Sequence, residues 1–270
     1  MIRIQSRKNE YIKELSWLLR SSGRRHAQGL FVVEGARLCR DAARSGLKLE
    51  AVLVTPQAAD KYAVYVNEIA AKAKESIEIA DSIAPLLSDT RSPQGVFCVV
   101  HLPSLEERGI DRLLGVGRYL AVENMQDPAN LGAVCRTAEA LGISGVILLG
   151  TCCDFYGPKA LRAGMGAAFR LPVYMASSFQ QAVPIFRDKQ MRTFAAVPDE
   201  KAVPVTQCEF TDRCVMLVGN EGNGLLPETI EMCNQTVTIP MLGRAESLNA
   251  AASCERQRRK GVYASQYLTP

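Results

Sequence analysis

The passage that most constrains how this 270-residue chain can fold runs from residue 119 to residue 142. Tyr119-Leu120-Ala121-Val122 is apolar at every position, as in a parallel strand covered on both faces. A mostly polar loop, Glu123-Asn124-Met125-Gln126, follows it. Asp127-Pro128 then reads as an N-cap and first helical residue, because the aspartate oxygen can take a free amide of the first turn and proline needs no N–H there. Leu131, Val134, Cys135, Ala138 and Leu141 recur at helical spacing, and Gly142 supplies the stop. The unit is strand, loop, helix. Its loop lies at the strand's carboxyl end, where open α/β sheets take their ligands. Asn130 falls in the first helical turn. Arg136, further along, leans back toward the loop, since helical side chains tilt toward the N-terminus.

The alternation recurs through the chain. Residues 145–149, 193–197 and 215–218 are further buried-strand runs. In the front part, Tyr11, Leu15, Leu18 and Leu19 recur at helical spacing, with Trp17 adding bulk. A strand at 30–33, a helix over 36–45 ended by Gly46, a strand at 49–54 and an alanine-rich helix over 58–74 follow. Strands at 78–80 and 96–100 close the series. Strands alternating with helices predict an α/β class. The pattern breaks between His101 and Gly117, where Pro103 and several glycines intervene. The expectation is a small N-terminal α/β domain at 1–101, a linker at 102–117 and a C-terminal α/β domain with a parallel sheet at 118–270.

Composition removes several alternatives. No apolar run reaches membrane-spanning length and no signal peptide is read at the front, so no membrane role is expected. Nine cysteines are scattered without a Cys-x-x-Cys pair and only two histidines occur, which argues against zinc or another metal. Small buried thiols in a reducing cytoplasm is the reading that remains. Net charge is +4, but residues 1–50 hold eleven Lys/Arg against five acids, a local +6 that leaves the rest of the chain at −2. Positive charge gathered at one end suits a module that meets phosphates.

The loop and helix of residues 123–138 resemble the first signature of the SpoU (TrmH-type) RNA 2'-O-ribose methyltransferases, of the knotted SPOUT superfamily. Leu217-Val218-Gly219-Asn220-Glu221-Gly222-Asn223-Gly224-Leu225 resembles the second. Ile239-Pro240-Met241-Leu242-Gly243-Arg244-Ala245-Glu246-Ser247-Leu248-Asn249 resembles the third. Three signatures in order are far more specific than one. The front half resembles the small substrate-binding domain that precedes the catalytic domain in this family, with Ser88-Asp89-Thr90-Arg91-Ser92-Pro93-Gln94-Gly95-Val96 as its closing segment. Residues 158–167 resemble the family's basic loop-helix, with Lys159 and Arg162 available to RNA phosphate and Gly164 where a hydroxyl residue is common.

The resemblance implies S-adenosyl-L-methionine-dependent 2'-O-methylation of a ribose in structured RNA, ribosomal RNA before transfer RNA because of the front domain. A non-catalytic RNA-binding ribosome-assembly factor on the same fold is the alternative. By resemblance, Arg136 acts at the 2'-hydroxyl, with Asn130, Glu221, Ser247 and Asn249 as companion site residues and Glu221 able to orient Arg136. Gly219, Ile239 and Leu248 would line the cofactor pocket. The glycines of the second signature suit either tight turns or close approach of backbone to an adenosine, and they do not spell a phosphate loop or a dinucleotide fingerprint. No histidine lies in any signature. A histidine base is therefore not expected; the resemblance implies that Arg136 is base or charge stabiliser, and the second is physically easier because guanidinium holds its proton. The family also implies a trefoil knot formed past Met241 and a homodimer. The charged run Glu255-Arg256-Gln257-Arg258-Arg259-Lys260 departs from the family's apolar terminal helix.

Overall fold

The computed structural model describes residues 2–104, 106–199 and 201–240. They fall into two compact units, one of residues 2–104 with 156–170, the other of 106–155 with 171–240.

In the first unit the elements run β1 (Ile2–Ile4), α1 (Glu10–Arg20), α2 (Ser22–Gln28), β2 (Leu30–Glu34), α3 (Ala36–Arg44), β3 (Leu49–Val54), α4 (Pro56–Lys61), α5 (Ala63–Ala70), β4 (Ala73–Ile79) and β5 (Val96–His101). The sheet order is β1-β4-β3-β5-β2, with β5 antiparallel to both neighbours and the other pairs parallel. Asn9 caps α1 through its side chain, and Ile12, Leu15 and Leu18 sink into a core with Leu53, Phe97 and Val99. That buried stripe turns Trp17 outward: it is 46% exposed, not part of the helix's packed face. The expected helix over 58–74 is two helices with a break at Tyr62, and its last residues already belong to β4. The segment that resembles a closing motif latches onto β2 and α3. Ser88 Oγ donates to the Glu34 carboxylate at 2.7 Å, and Gln94 Oε1 accepts the Ala36 amide at 3.1 Å, a cap that Gly35 has no side chain to supply.

The second stretch of chain continues with β6 (Gly117–Glu123), α6 (Pro128–Ala140), β7 (Gly145–Leu149), α7 (Pro158–Gly164), α8 (Ala167–Arg170), β8 (Val173–Ala176), α9 (Phe179–Asp188), β9 (Arg192–Ala196), β10 (Val203–Pro204), β11 (Arg213–Val218), α10 (Pro227–Met232) and β12 (Gln235–Thr238). Of these, α7 and α8 cluster with the first unit. Tyr156 packs its ring against Phe31, tilted by 47° with centroids 4.8 Å apart, Arg162 pairs with Asp89, and Arg170 reaches Asp41 at 3.1 Å. Arg162, read as available to phosphate, therefore has a carboxylate partner.

The remaining seven strands form one sheet in the order β10-β12-β9-β11-β6-β7-β8, parallel throughout. Tyr119, Ala121, Ile147, Leu149, Val215 and Leu217 share one face with Phe179 and Phe186 of α9. Alternation places Leu120, Val122, Val146 and Leu148 on the other face, on the side of α6, which packs on β7. The predicted cap holds: Asp127 Oδ1 accepts the Ala129 amide at 2.8 Å, with Pro128 as first helical residue. Among the described residues, no helix is long and apolar enough to cross a membrane, and no cluster of His, Cys, Asp or Glu is placed to hold a metal ion.

Candidate active site

The chain moves outward from β6 through β7 to β8, then returns to lay down β9 and insert β11 against the free side of β6. This is a switch point of the sheet, and two loops meet at its carboxyl edge. Residues 123–127 leave β6, and residues 219–226 leave β11.

Glu123, at the end of β6, ties the two loops from below. It is 3% exposed, accepts the Leu226 amide at 2.8 Å and accepts the Thr229 hydroxyl at 2.6 Å. Above it, Asn124 adopts φ 53, a left-handed conformation that asparagine tolerates better than most residues. Its Oδ1 accepts the Thr151 amide at 2.8 Å, and its carbonyl accepts from Asn220 Nδ2 at 2.8 Å and from Gln126 Nε2 at 3.0 Å. Gly150 must be glycine here, since a Cβ would sit 2.4 Å from Asn124 Oδ1 at φ +68. Asn220 in turn accepts the Gly222 amide at 2.8 Å and pairs its backbone with Gly224 in both directions, at 3.0 and 2.9 Å. The loop after β11 is thus a closed hairpin. Asn124, Gln126 and Asn220 were not singled out from sequence, although the signature segments contain all three.

Within this frame the structure brings two expected site residues together. Asn130 Nδ2 donates to Glu221 Oε1 at 2.9 Å, across 91 positions of sequence. Arg136 is elsewhere on the same helix, six residues on, about 9 Å along the axis and a third of a turn around. Its side chain is exposed, and among the described residues it has no hydrogen bond or ion pair. Glu221 therefore meets Asn130 rather than Arg136. Ser247, Leu248 and Asn249 lie outside the described residues, as do the segment assigned to the knot and the charged run at 255–260.

Gly219 and Ile239 follow β11 and β12, the two strands that flank β9. At the usual strand spacing their ends stand about 10 Å apart. Ile239 is half-buried there. Gly219 also has a reason of its own to lack a side chain. A Cβ there would fall 1.9 Å from the Gly224 carbonyl carbon and 2.1 Å from the Leu225 nitrogen, both backbone atoms. The thiols beside the edge are quiet. Burial first, then the neighbouring Cys152, Glu221 and other acids, push Cys153 up to about 12.

A parallel α/β sheet with a polar two-loop site at its switch point defines an α/β protein of the class that takes its ligand at the carboxyl edge. Residues 117–255 match the SpoU rRNA Methylase family, and residues 9–98 match the MRM3-like substrate binding domain. The chain belongs to the SpoU rRNA methylase family. It is 31% identical to a 23S rRNA (uridine(2479)-2'-O)-methyltransferase of Streptomyces viridochromogenes, over 92% of this chain and 88% of that one. It is 26% identical to the 23S rRNA (guanosine(2553)-2'-O)-methyltransferase RlmP of Bacillus subtilis, over 94% and 96%. Among solved structures, the SpoU methyltransferase AviRb of Streptomyces viridochromogenes in complex with AdoMet superposes with a TM-score of 0.82 at 26% identity, over 93% and 96% of the two chains. An AdoMet-bound rRNA methyltransferase from Sinorhizobium meliloti superposes at 0.80, also at 26% identity, over 94% and 95%.

Proposed function

We propose that this protein transfers a methyl group from S-adenosylmethionine to a ribose 2'-oxygen in ribosomal RNA. The observation that carries the reading is the Asn130–Glu221 bond, held over the buried Glu123 at the switch point of a SpoU-family sheet. The relatives named above, two of them 23S rRNA 2'-O-methyltransferases and two AdoMet-bound structures, support the substrate and the cofactor.

S-adenosylmethionine, when bound, supplies a methyl group already activated on a sulfonium. Gly219 and Ile239 would hold the adenosine through main-chain groups, with Leu248 completing the lining. The remaining task for the chain is small: align the ribose and stabilise the 2'-oxygen as its proton passes to solvent water and the methyl group moves from sulfur to oxygen. Arg136 is assigned the second part. Its exposed guanidinium donates to the developing alkoxide, a role that needs no change of its own protonation. Asn130, oriented by Glu221, positions the ribose, and Ser247 and Asn249 complete that set. We assign residues 1–101 to substrate binding, 102–117 to the linker and 118–270 to the methyltransferase domain, working as a cytoplasmic homodimer with the trefoil knot of its superfamily.

The test uses the full chain, methyl-labelled S-adenosylmethionine and ribosomal RNA from cells lacking the gene. Label should appear in RNA at a single ribose, whose 3' phosphodiester then resists alkali. Cofactor binding without any label transfer would overturn the enzymatic reading in favour of a non-catalytic RNA-binding factor.

A further inference from the structure

One strongly marked surface belongs to the first unit, on the outer face of α1 and its corner with α2. Trp17 is the chain's single tryptophan. Large aromatic side chains are normally placed in cores, yet this one stands 46% exposed in mid-helix because Ile12, Leu15 and Leu18 take the buried stripe. The Arg24 guanidinium lies over the indole, 4.7 Å from its centroid. Along α1, Lys13 precedes Trp17 by four residues and Arg20 follows by three, so both flank it on one helical face. From residue 10 to residue 26 the chain holds Lys13, Arg20, Arg24 and Arg25 against Glu10 and Glu14, with Lys13 paired to Glu10 at 2.7 Å.

The corner that presents this pair is built, not incidental. Arg25 is buried, and its Nη1 donates to the Leu18 carbonyl and, at 3.3 Å, to the Leu19 carbonyl at the C-terminal end of α1. A cation there satisfies carbonyls that have no helical partner and sits favourably in the helix dipole. It also fixes α2 against α1, which is what keeps Arg24 over the indole.

We propose that Trp17 and Arg24 form a stacking platform for an unpaired base of the RNA substrate, with Lys13 and Arg20 taking the flanking phosphates. This rests on the RNA reading above and names the form of RNA the front unit reads. An exposed indole has a π-face that any base can cover, and arginine stacks on bases as well as on rings. A base paired in a helix keeps both faces occupied, so the platform selects single-stranded or looped RNA over duplex. Charge decides between partner classes: an apolar protein partner would have to desolvate the exposed cations Lys13, Arg20 and Arg24 around one ring, whereas a phosphate backbone complements them.

Because Trp17 is the only tryptophan, the intact protein reports on its own platform. Poly(A) should quench the intrinsic tryptophan fluorescence of the full chain at saturation, and an RNA duplex should quench it far less. Trp17→Ala should weaken poly(A) binding, measured by filter retention, about tenfold or more, the scale of one stacked base. Trp17→Phe should lose much less, and Arg24→Ala should fall between. S-adenosylmethionine binding by calorimetry should be the same in all four proteins. Poly(A) binding with unchanged fluorescence and a wild-type affinity for Trp17→Ala would overturn the platform while leaving the proposed function intact. A spectral shift that follows protein concentration without RNA would overturn it in favour of self-association. No RNA binding at all, with cofactor binding preserved, would remove the RNA reading and this inference with it.

Discussion

Replacing Glu123 tests how the two loops of the site are held. The carboxylate accepts two hydrogen bonds, from the Leu226 amide at 2.8 Å and the Thr229 hydroxyl at 2.6 Å, with Thr229 itself 1% exposed. A hydrogen bond to a charged group is worth about 1.5–3 kcal/mol net, and a buried donor left alone costs a similar amount. Leu226 is exposed, so its freed amide has partial access to water, and the lower end of the range applies to it. Glu123→Ala should therefore destabilise the protein by about 3–4 kcal/mol. Glu123→Gln keeps an oxygen for the Leu226 amide and turns its amide toward Thr229 Oγ, which can accept. That change should cost about 1 kcal/mol, the value of a weakened but intact pair of bonds. Urea unfolding with matched m-values measures the difference, and calorimetry with S-adenosylmethionine measures its consequence. Alanine should lose cofactor affinity because the loop at 219–226 is released, and glutamine should retain it. Thr229→Val added to Glu123→Ala should cost little more, since both remove one shared bond. Equal stability for the alanine and glutamine variants would refute the argument.

Three further expectations follow from the geometry. Gly219→Ala should unseat the Asn220–Gly224 hairpin and lower cofactor affinity, because the new Cβ meets backbone at 1.9 Å, and Gly219→Val, with the same Cβ and two more methyls, should lower it at least as far; near-wild-type binding by the alanine variant would refute the tight closure of this loop. Arg136→Ala should lower the single-turnover methyl-transfer rate about 10²–10³-fold while leaving RNA and cofactor affinities nearly unchanged, since a donor that acts on developing charge contributes only in the transition state; Arg136→Lys then separates roles, with rescue and a shifted pH profile pointing to proton transfer. Burial pushes Cys214 up to about 11 and Cys233 and Cys153 up to about 12 from 9.0, so iodoacetamide at pH 8 should modify all three slowly in the native protein and rapidly in urea. An acid whose pKa is raised on folding contributes its stability below the unfolded value and loses it as pH rises through the folded one. Stability should accordingly decline between about pH 9 and pH 12, and a flat urea midpoint across that window would contradict the burial of these thiols.

Local pattern and tertiary context divide cleanly in this protein. The passage from β6 through α6 was legible residue by residue, because a run of four apolar residues, an aspartate before proline and a spaced apolar stripe each act within a few positions of chain. The same holds for Gly145–Leu149 and for residues 215–218 of β11, both buried in the sheet interior. The residue types of the site were legible through the signatures, Asn130 and Glu221 included. Other features depended on neighbours that sequence does not name. Tyr11, Leu15, Leu18 and Leu19 looked like the helix's apolar stripe, with Trp17 adding bulk, yet the helix fully buries Ile12, Leu15 and Leu18 and leaves Trp17 exposed. Ala73 and Lys74 looked like the end of a helix, with a strand only from Glu78, because Ile77 and Ile79 alone of β4 are buried; pairing with β1 and β3 on either side extends the strand back to Ala73. Residues 156–170 read as part of the second half but pack on the first, through Phe31, Asp41 and Asp89.

The site itself shows the limit most plainly. Sequence determined that a polar loop would follow β6 and a glycine-rich one would follow β11. Only the fold decided that β11 lies beside β6, which sets Asn220 against Asn124 and Glu221 against Asn130. Strand order is chosen by which buried faces cover one another across the whole sheet. It is a property of the assembled core, and no local period encodes it.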